Sequence, residues 1–402
     1  MLKPNIYFAS AISDANSDNL NFAKEVASYL NQFGRVMTEN LSKEDVLAWE
    51  AEQKAKGVNV ATRDFGWLAD SDLMIADISK GSIGVGSEVN YALNTRRIPV
   101  LAVYKKGPRP SQMIANFKHP LLKCESYESL DDLKLIINNF VNNTKILGKL
   151  RKNLLICDGI DGCGKGVISS TIGEWAVKNN MPVFNATQFS IDNGVNPTWE
   201  DAKKTIGNGG MLLVAEPTHA EMGSVVRDQL IKNGSKHSVL STAYGYSLDR
   251  EILFMELIEP AIEAGILVIL DRGVLTTQVY QPVQGEMFEG YDRESIFGLI
   301  RGLPGNQYEM DFVPGLIILP EVDVDIAQDR LKNREKDDNA LFEKHKFQAE
   351  VAKVYSSGRI EDWYERRGSK IIHMSQNEGE GPEVTVERTL RIWNDYFESL
   401  KG

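Results

Sequence analysis

Asn153-Leu154-Leu155-Ile156-Cys157-Asp158-Gly159-Ile160-Asp161-Gly162-Cys163-Gly164-Lys165-Gly166-Val167 decides how this chain is organised. Its first residues are an apolar run that reads as a buried strand. A glycine-rich turn follows and opens a helix that continues through Ile168, Ile172 and Trp175. The turn fits Gly-x-x-x-x-Gly-Lys and departs at the next position, where Gly166 stands in place of the Ser or Thr whose hydroxyl ligates Mg²⁺ of a bound nucleotide. Glycines let successive backbone N–H groups converge on phosphate oxygens at a helix N-terminus, where the dipole also favours negative charge. Lys165 adds a point charge. A plain strand-to-helix turn remains the alternative for so short a pattern.

At 402 residues the chain has room for about two or three domains. A formal charge of −11 excludes a general nucleic-acid or anionic-membrane surface, since either needs a basic face. A phosphorylated ligand must therefore be met locally, by loops and a few arginines. Cys124, Cys157 and Cys163 form no CxxC pair and no disulfide framework, so they read as reduced thiols. The N-terminus runs straight into a strand and no apolar run approaches a membrane span. A cytoplasmic protein is expected.

Working back toward the N-terminus, apolar runs of strand and helix type alternate. Ile6–Ala9, Arg35–Thr38, Leu73–Ala76 and Ile98–Tyr104 read as strands. Leu20–Leu30, Ala61–Leu68, Glu88–Leu93 and Leu130–Val141 read as helices. That order predicts a doubly wound parallel sheet, with ligands beyond the carboxyl ends of its strands. Ser79-Lys80-Gly81-Ser82-Ile83-Gly84-Val85-Gly86-Ser87-Glu88 stands out as a glycine-rich loop placing Glu88 in the first turn of a helix. There the helix dipole keeps a carboxylate ionised, which suits a nucleophile, although a carboxylate that merely decorates a helix start reads the same way. Asp64 is a helix-surface acid unless the fold brings it near Glu88.

This half resembles the nucleoside 2-deoxyribosyltransferase superfamily, and most of all its 2′-deoxynucleoside 5′-phosphate N-hydrolase branch. The likeness spans Ile6 to about Phe117. It is carried by Ile6-Tyr7-Phe8, Phe33-Gly34-Arg35-Val36, Asp64 with Trp67-Leu68, Ser82 to Glu88, and Ser111-Gln112-Met113-Ile114. The resemblance implies that Glu88 attacks the anomeric carbon of a deoxynucleotide, that Asp64 assists with protons at the leaving base, and that Tyr7 places Glu88. It further implies substrate contacts from Ser82, Gly84 and Gly86, and a phosphate contact from Ser111 of a partner subunit, hence a homodimer. Ala9-Ser10-Ala11-Ile12-Ser13 departs from the family's glycine- and arginine-bearing first loop, so a base-exchanging transferase stays open beside the hydrolase.

A short basic segment, 148–152, reads as a linker. Beyond the loop, Met211–Ala215, Ile266–Leu270, Leu316–Leu319 and Lys370–His373 read as strands. Tyr244–Ala264, Asp325–Glu335 and Glu383–Leu400 read as helices, while Asp192–Gly210 is polar and of unassigned structure. Asp271 closes a very apolar strand, where such folds set a second carboxylate able to hold Mg²⁺. Tyr246 and Arg250 lie four apart on one helix face.

This half resembles thymidylate kinase over essentially its whole length. The likeness rests on Asp158 to Lys165, Glu216-Pro217, Leu248-Asp249-Arg250, and Asp271-Arg272 with Leu275 to Gln281. The resemblance implies ATP and Mg²⁺ as cofactors and transfer of a phosphoryl group to dTMP or a related monophosphate. Gly159, Asp161, Gly162, Cys163, Gly164, Lys165, Gly166 and Val167 would hold phosphates, with Asp161 also reaching the sugar 3′-hydroxyl. Arg272 would hold the acceptor phosphate, Tyr246 stack the base and Arg250 bond its edge. Glu216 and Thr276 would line the substrate site, and Tyr280 would crowd a 2′-hydroxyl. Asp271 would hold the metal, while Lys332 and Arg334 would offer cations to the transferring group. Three departures accompany the match: Gly166, Ala215 in place of an arginine, and a longer lid from Asp337 to Glu343.

The expected architecture is thus α/β: two doubly wound parallel-sheet domains. The first, flavodoxin- or Rossmann-like and of deoxyribosyltransferase type, would span 1–147. The second, a kinase domain of P-loop NTPase type, would span 153–402. A kinase half that senses nucleotides without turning them over is the alternative for its function.

Overall fold

A computed structural model describes residues 3–11, 17–38, 41, 43, 45–107, 110–332, 342, 344–376 and 380–401. It divides into two compact units, Met1–Leu147 with Asp292–Leu303, and Gly148–Tyr291 with Pro304–Gly402. Each holds one parallel sheet. Among the described residues no helix is long and apolar enough to cross a membrane.

In the first unit the strands are β1 (Asn5–Ala9), β2 (Arg35–Val36), β3 (Leu73–Asp77), β4 (Val100–Lys105) and β5 (Leu122–Tyr127), in the order β2-β1-β3-β4-β5. All pairs are parallel, with Ile6 opposite Leu73 and Met74 opposite Val100. Side chains alternate across a strand, so each sheet face makes its own core. Ile6, Phe8, Ile75 and Leu101 pack with residues of Ser17–Leu30 and Leu130–Asn143. Tyr7, Ala9, Met74 and Ala76 pack on the other face with Leu68, Val85 and Val89. The order reverses direction between β1 and β3, the topological switch at which open α/β sheets bind ligands. The fifth strand has no counterpart in the sequence reading: Leu122-Lys123-Cys124-Glu125-Ser126-Tyr127 is a half-exposed edge and lacks an apolar run.

The second unit orders its strands β11-β10-β6-β9-β8-β7: β6 (Lys149–Cys157), β7 (Val183–Asn185), β8 (Met211–Ala215), β9 (Leu267–Asp271), β10 (Phe312–Glu321) and β11 (Lys370–Ser375). Cys157 sits opposite Asp271, and Ala215 opposite Asp271 on its other side. This register brings the turn after β6, the end of β8 and the end of β9 to one edge. The polar stretch Asp192–Gly210 takes in the end of helix Ala186–Asn193 and the whole of helix Trp199–Ile206.

Two expectations change. Residues 149–152 are not a linker but the start of β6, paired with β10 at Lys149–Phe312, Leu150–Val313 and Arg151–Pro314. Their basic side chains suggested a tether, yet only their backbones are needed for the ladder, and the Arg151 guanidinium lies 4.8 Å over the Phe312 ring. The second correction concerns the continuity of 153–402. Helix Arg293–Gly302 belongs with the first unit, packed on helix Val60–Ala69 and the π-helical turn Tyr91–Arg96. Its glycines permit the approach: a Cβ on Gly298 would sit 1.7 Å from Tyr91 Oη, and one on Gly302 1.7 Å from the Thr95 carbonyl. Buried Arg301 donates to Asp70 Oδ1 at 3.0 Å.

Candidate active sites

In the first unit, helix Ile83–Asn90 begins at Ser82, whose Oγ accepts from the Val85 amide at 3.3 Å. Ser82 therefore caps the helix. Gly84 and Gly86 lie inside the helix rather than in a loop, and Glu88 lies in its second turn rather than its first. Val85 and Glu88, three apart, share the face turned to β1. There Tyr7 donates its hydroxyl to Glu88 Oε1 at 2.8 Å. Asp64, on helix Val60–Ala69, is near enough for its charge to act on both Glu88 and Tyr7.

The ionisation of Glu88 expected from the helix dipole is opposed by its surroundings. Burial pushes the Glu88 carboxyl up to about 7, and the charge of Asp64 adds to this against the Tyr7 hydrogen bond. Asp64 is raised too, by burial first, while Arg63 restrains the rise. Tyr7 is raised well above the usual phenol, by burial and then by Glu88. Ser111 lies outside this cluster's hydrogen bonds; it precedes the short helix Gln112–Ala115 without capping it.

In the second unit a cavity of about 770 Å³ is lined by Asp161, Gly162, Gly164, Lys165, Gly166, Ala215, Glu216, Arg227, Tyr246, Arg250, Asp271, Arg272, Thr276, Thr277, Tyr280 and Phe342, among others. The loop that borders it is built from left-handed glycines, Gly162 at φ 81° and Gly164 at φ 95°. Gly164 caps helix Lys165–Lys178. The Lys165 ammonium donates to the carbonyls of Gly159 at 3.1 Å and Ile160 at 2.7 Å. A Cβ on Gly166 would meet nothing within 4 Å.

Arg272 adopts a left-handed backbone at φ 66°, unusual for a non-glycine residue and typical of functional sites. Its guanidinium pairs with Asp161 and donates to the Gly159 carbonyl at 3.3 Å, 5.6 Å over the Tyr280 ring. Gln348 donates Nε2–H to the other Asp161 oxygen at 2.7 Å. Burial opposes ionisation of Asp161, yet Arg272 and Lys165 outweigh it and hold its carboxyl below the ordinary value. For Asp271 burial wins, and the carboxyl is raised in spite of Lys165 and Arg272. Tyr246 is pushed up to about 12 by burial.

Arg250 differs from its expected role. It is 1 % exposed, and its guanidinium donates to Glu216 Oε2 at 2.6 and 2.9 Å, Thr277 Oγ1 at 3.1 Å and Asn306, and forms an ion pair with Glu309 Oε2 at 2.5 Å. Most of its donors are committed to this buried network, as is one oxygen of Glu216. Thr276 likewise donates to Asp158 Oδ1 at 2.6 Å. Arg227 lines the cavity, as Ala215 does, and is anchored through Nε on the carbonyls of Pro217 at 3.1 Å and Thr218 at 3.0 Å. Ser169 and Ser170 turn their hydroxyls to helix carbonyls of Lys165 and Val167. Lys332 is an exposed side chain paired with Asp329, and Arg334 lies outside the described residues.

Sequence reasoning missed Gln348, Tyr355, Glu309 and Asn306, which hold Asp161, Asp158 and Arg250 in place. They come from distant helices and carry no local signal. Asp158 did carry one, because it ends an apolar strand as Asp271 does.

The thymidylate kinase family model matches residues 202–365. A thymidylate kinase of Brachyspira hyodysenteriae is 25% identical over 211 residues, covering 52% of this chain and 81% of that protein. The 5-hydroxymethyl-dUMP N-hydrolase of Danio rerio is 30% identical over 138 residues, covering 34% of this chain and 94% of that protein. A protein of Syntrophotalea carbinolica, whose name assigns it to the 2′-deoxynucleoside 5′-phosphate N-hydrolases, is 27% identical over 141 residues, covering 35% of this chain and 96% of its own length.

Proposed function

The chain belongs to the 2′-deoxynucleoside 5′-phosphate N-hydrolase family through its first unit and carries a thymidylate kinase domain in its second, and from that premise we propose a bifunctional enzyme of deoxynucleotide metabolism. The first unit cleaves the N-glycosidic bond of a 2′-deoxynucleoside 5′-monophosphate. The second transfers the γ-phosphoryl group of ATP to dTMP or a related monophosphate. The observation that carries the reading is the Tyr7–Glu88 hydrogen bond beside Asp64, in the unit whose relatives bear N-hydrolase names.

Ionised Glu88 attacks C1′ of the sugar. The C1′–O bond forms as the C1′–N bond breaks, and the base departs with the bonding pair and takes a proton with help from Asp64. Water then hydrolyses the glycosyl ester and restores the Glu88 carboxyl group. Tyr7 fixes the attacking carboxylate through its hydroxyl. Ser82, Gly84 and Gly86 border the sugar phosphate, and Ser111 serves the site of a partner subunit in a cytoplasmic homodimer.

In the second unit the loop amides from Gly159 to Val167 and the Lys165 ammonium cradle the ATP phosphates. Arg272 holds the acceptor phosphate, Asp161 meets the 3′-hydroxyl, Tyr246 stacks the base, and Tyr280 excludes a 2′-hydroxyl. Arg227 stands in for the arginine that Ala215 lacks. Among the described residues no group of three or more His, Cys, Asp or Glu side chains could hold a metal unaided. The half-buried Asp271 carboxylate and the open space at Gly166 fit a magnesium ion, which Asp271 would hold and whose charge would neutralise phosphate oxygens.

The test is a panel of deoxynucleoside monophosphates, dTMP and 5-hydroxymethyl-dUMP included, with and without ATP and Mg²⁺. Free base and 2-deoxyribose 5-phosphate are expected in one arm and diphosphate in the other. Neither product from any member overturns the proposal. A base-exchanged nucleotide on adding free base identifies a transferase, and binding without diphosphate identifies a sensor.

A further inference from the structure

Asp161, the loop carboxylate set against the acceptor sugar, is held by a side chain to which the proposed phosphoryl transfer gives no part. Gln348 lies on helix His345–Tyr355 and is 1 % exposed. Its carboxamide closes a ring with Asp161: Oε1 accepts from the Asp161 amide at 3.1 Å, and Nε2 donates to Asp161 Oδ2 at 2.7 Å. Nε2 also donates to the Phe342 carbonyl at 2.8 Å. Both N–H groups and the oxygen are engaged, so only one orientation of the amide satisfies them all.

The helix that carries Gln348 is itself fixed. The buried Phe347 ring lies 5.1 Å from that of Phe342, 5.8 Å from that of Tyr280 and 5.6 Å from that of Phe288. Tyr355, two turns beyond Gln348 on the same helix face, donates its hydroxyl to Asp158 Oδ1 at 2.7 Å. One helix thus braces both acids of the phosphate loop. Of the two, Asp161 lines the cavity and keeps its side chain 20% exposed, whereas Asp158 is fully buried. Arg272 engages Asp161 Oδ1 and Gln348 engages Oδ2. A carboxylate oxygen accepts along about two directions, so each oxygen keeps one free. With both oxygens held, the carboxylate does not rotate.

We propose that Gln348 is a positioning residue for phosphoryl transfer: it fixes the Asp161 carboxylate so that a free acceptor direction meets the 3′-hydroxyl of the bound monophosphate, and the enzyme selects for that hydroxyl. This rests on the kinase reading of the second unit. Without Gln348, only Arg272 holds the carboxylate. The hydroxyl then meets a group that turns, and ordering that group on binding offsets what the hydrogen bond contributes.

The experiment compares kcat/KM for phosphorylation of dTMP and of its analogue lacking the 3′-hydroxyl. It uses the full chain with ATP and Mg²⁺, as wild type, Gln348→Met, Gln348→Leu and Tyr355→Phe. A hydrogen bond to a charged group contributes about ten- to a hundredfold, so wild type is expected to favour dTMP by at least about tenfold. In Gln348→Met the preference should fall to about twofold or less, with most of the loss in the rate on dTMP. Gln348→Leu should behave alike and carries the test if Gln348→Met does not fold. Tyr355→Phe releases Asp158 instead, and should lower both substrates by one factor with the preference kept. A merely structural role for Gln348 would likewise lower both substrates together. A wild type without the preference, a Gln348 variant that retains it, or a Tyr355→Phe enzyme that loses it overturns the inference. A wild type that forms no diphosphate from any monophosphate instead overturns the reading beneath it.

Discussion

The chain contains two glycine-rich stretches that lead into a helix beside a candidate phosphate site, and they work by different physics. In the second unit, Gly159, Gly162 and Gly164 all have positive φ, and a Cβ on Gly162 would lie 2.4 Å from the Ala327 carbonyl. These glycines are required by backbone shape. In the first unit, Gly84 and Gly86 are ordinary helical residues without positive φ, and a Cβ on Gly86 would touch nothing within 4 Å. Here glycine leaves room at the surface of a helix. The same residue type therefore marks a strained turn in one unit and open access in the other, and composition alone does not separate them.

The sharpest way to separate the two sites is to remove the group that only one of them has. Glu88→Gln should lower deoxynucleotide cleavage by at least about a thousandfold and leave ATP-dependent phosphorylation unchanged, read in parallel product assays. Next in size, Gly162→Ala should abolish measurable phosphorylation and destabilise the second unit by about 2 kcal/mol, from left-handed strain and the clash with Ala327, read by thermal melting and kinase assay. Gly166→Thr tests the position where the loop lacks a hydroxyl. The side chain has space, so it should fold normally and raise phosphorylation about tenfold at limiting Mg²⁺.

The pH dependence divides the units further. A carboxyl raised to about 7 is protonated below that value, so cleavage should fall tenfold per unit as pH drops below it, while phosphorylation, whose Asp161 is held below the ordinary carboxylate value, should not follow that limb. The smallest effect is expected from Gly86→Ala, which should add about 0.5–1 kcal/mol to helix stability and raise KM for the deoxynucleotide severalfold with kcat little changed.

Much of this was legible beforehand because it is local. An apolar strand followed by Gly-x-x-x-x-Gly-Lys imposes its own turn, and the apolar ends at Asp158 and Asp271 announce strands. Lys149 to Lys152 misled because charge was read as solvation, whereas a sheet asks only for their backbone hydrogen bonds. Glu88 misled because the helix start was placed at the acid instead of at its cap, Ser82, six residues before Glu88. The fifth strand was invisible because an edge needs no apolar run.

The sequence by itself therefore determined two α/β units and the phosphate loop, since periodicity and turn chemistry act over a few residues, whereas Tyr7, Asp64, Glu88, Asp161 and Arg272 were singled out through the family resemblance. Tertiary structure alone decided three things. It assigned helix Arg293–Gly302 to the first unit, through the close approach of Gly298 and Gly302 to Tyr91 and Thr95. It locked Arg250 among Glu216, Glu309, Thr277 and Asn306. It raised Glu88 to about 7 by burying it beside Asp64. Each depends on desolvation and on partners distant in the chain, which no local pattern encodes.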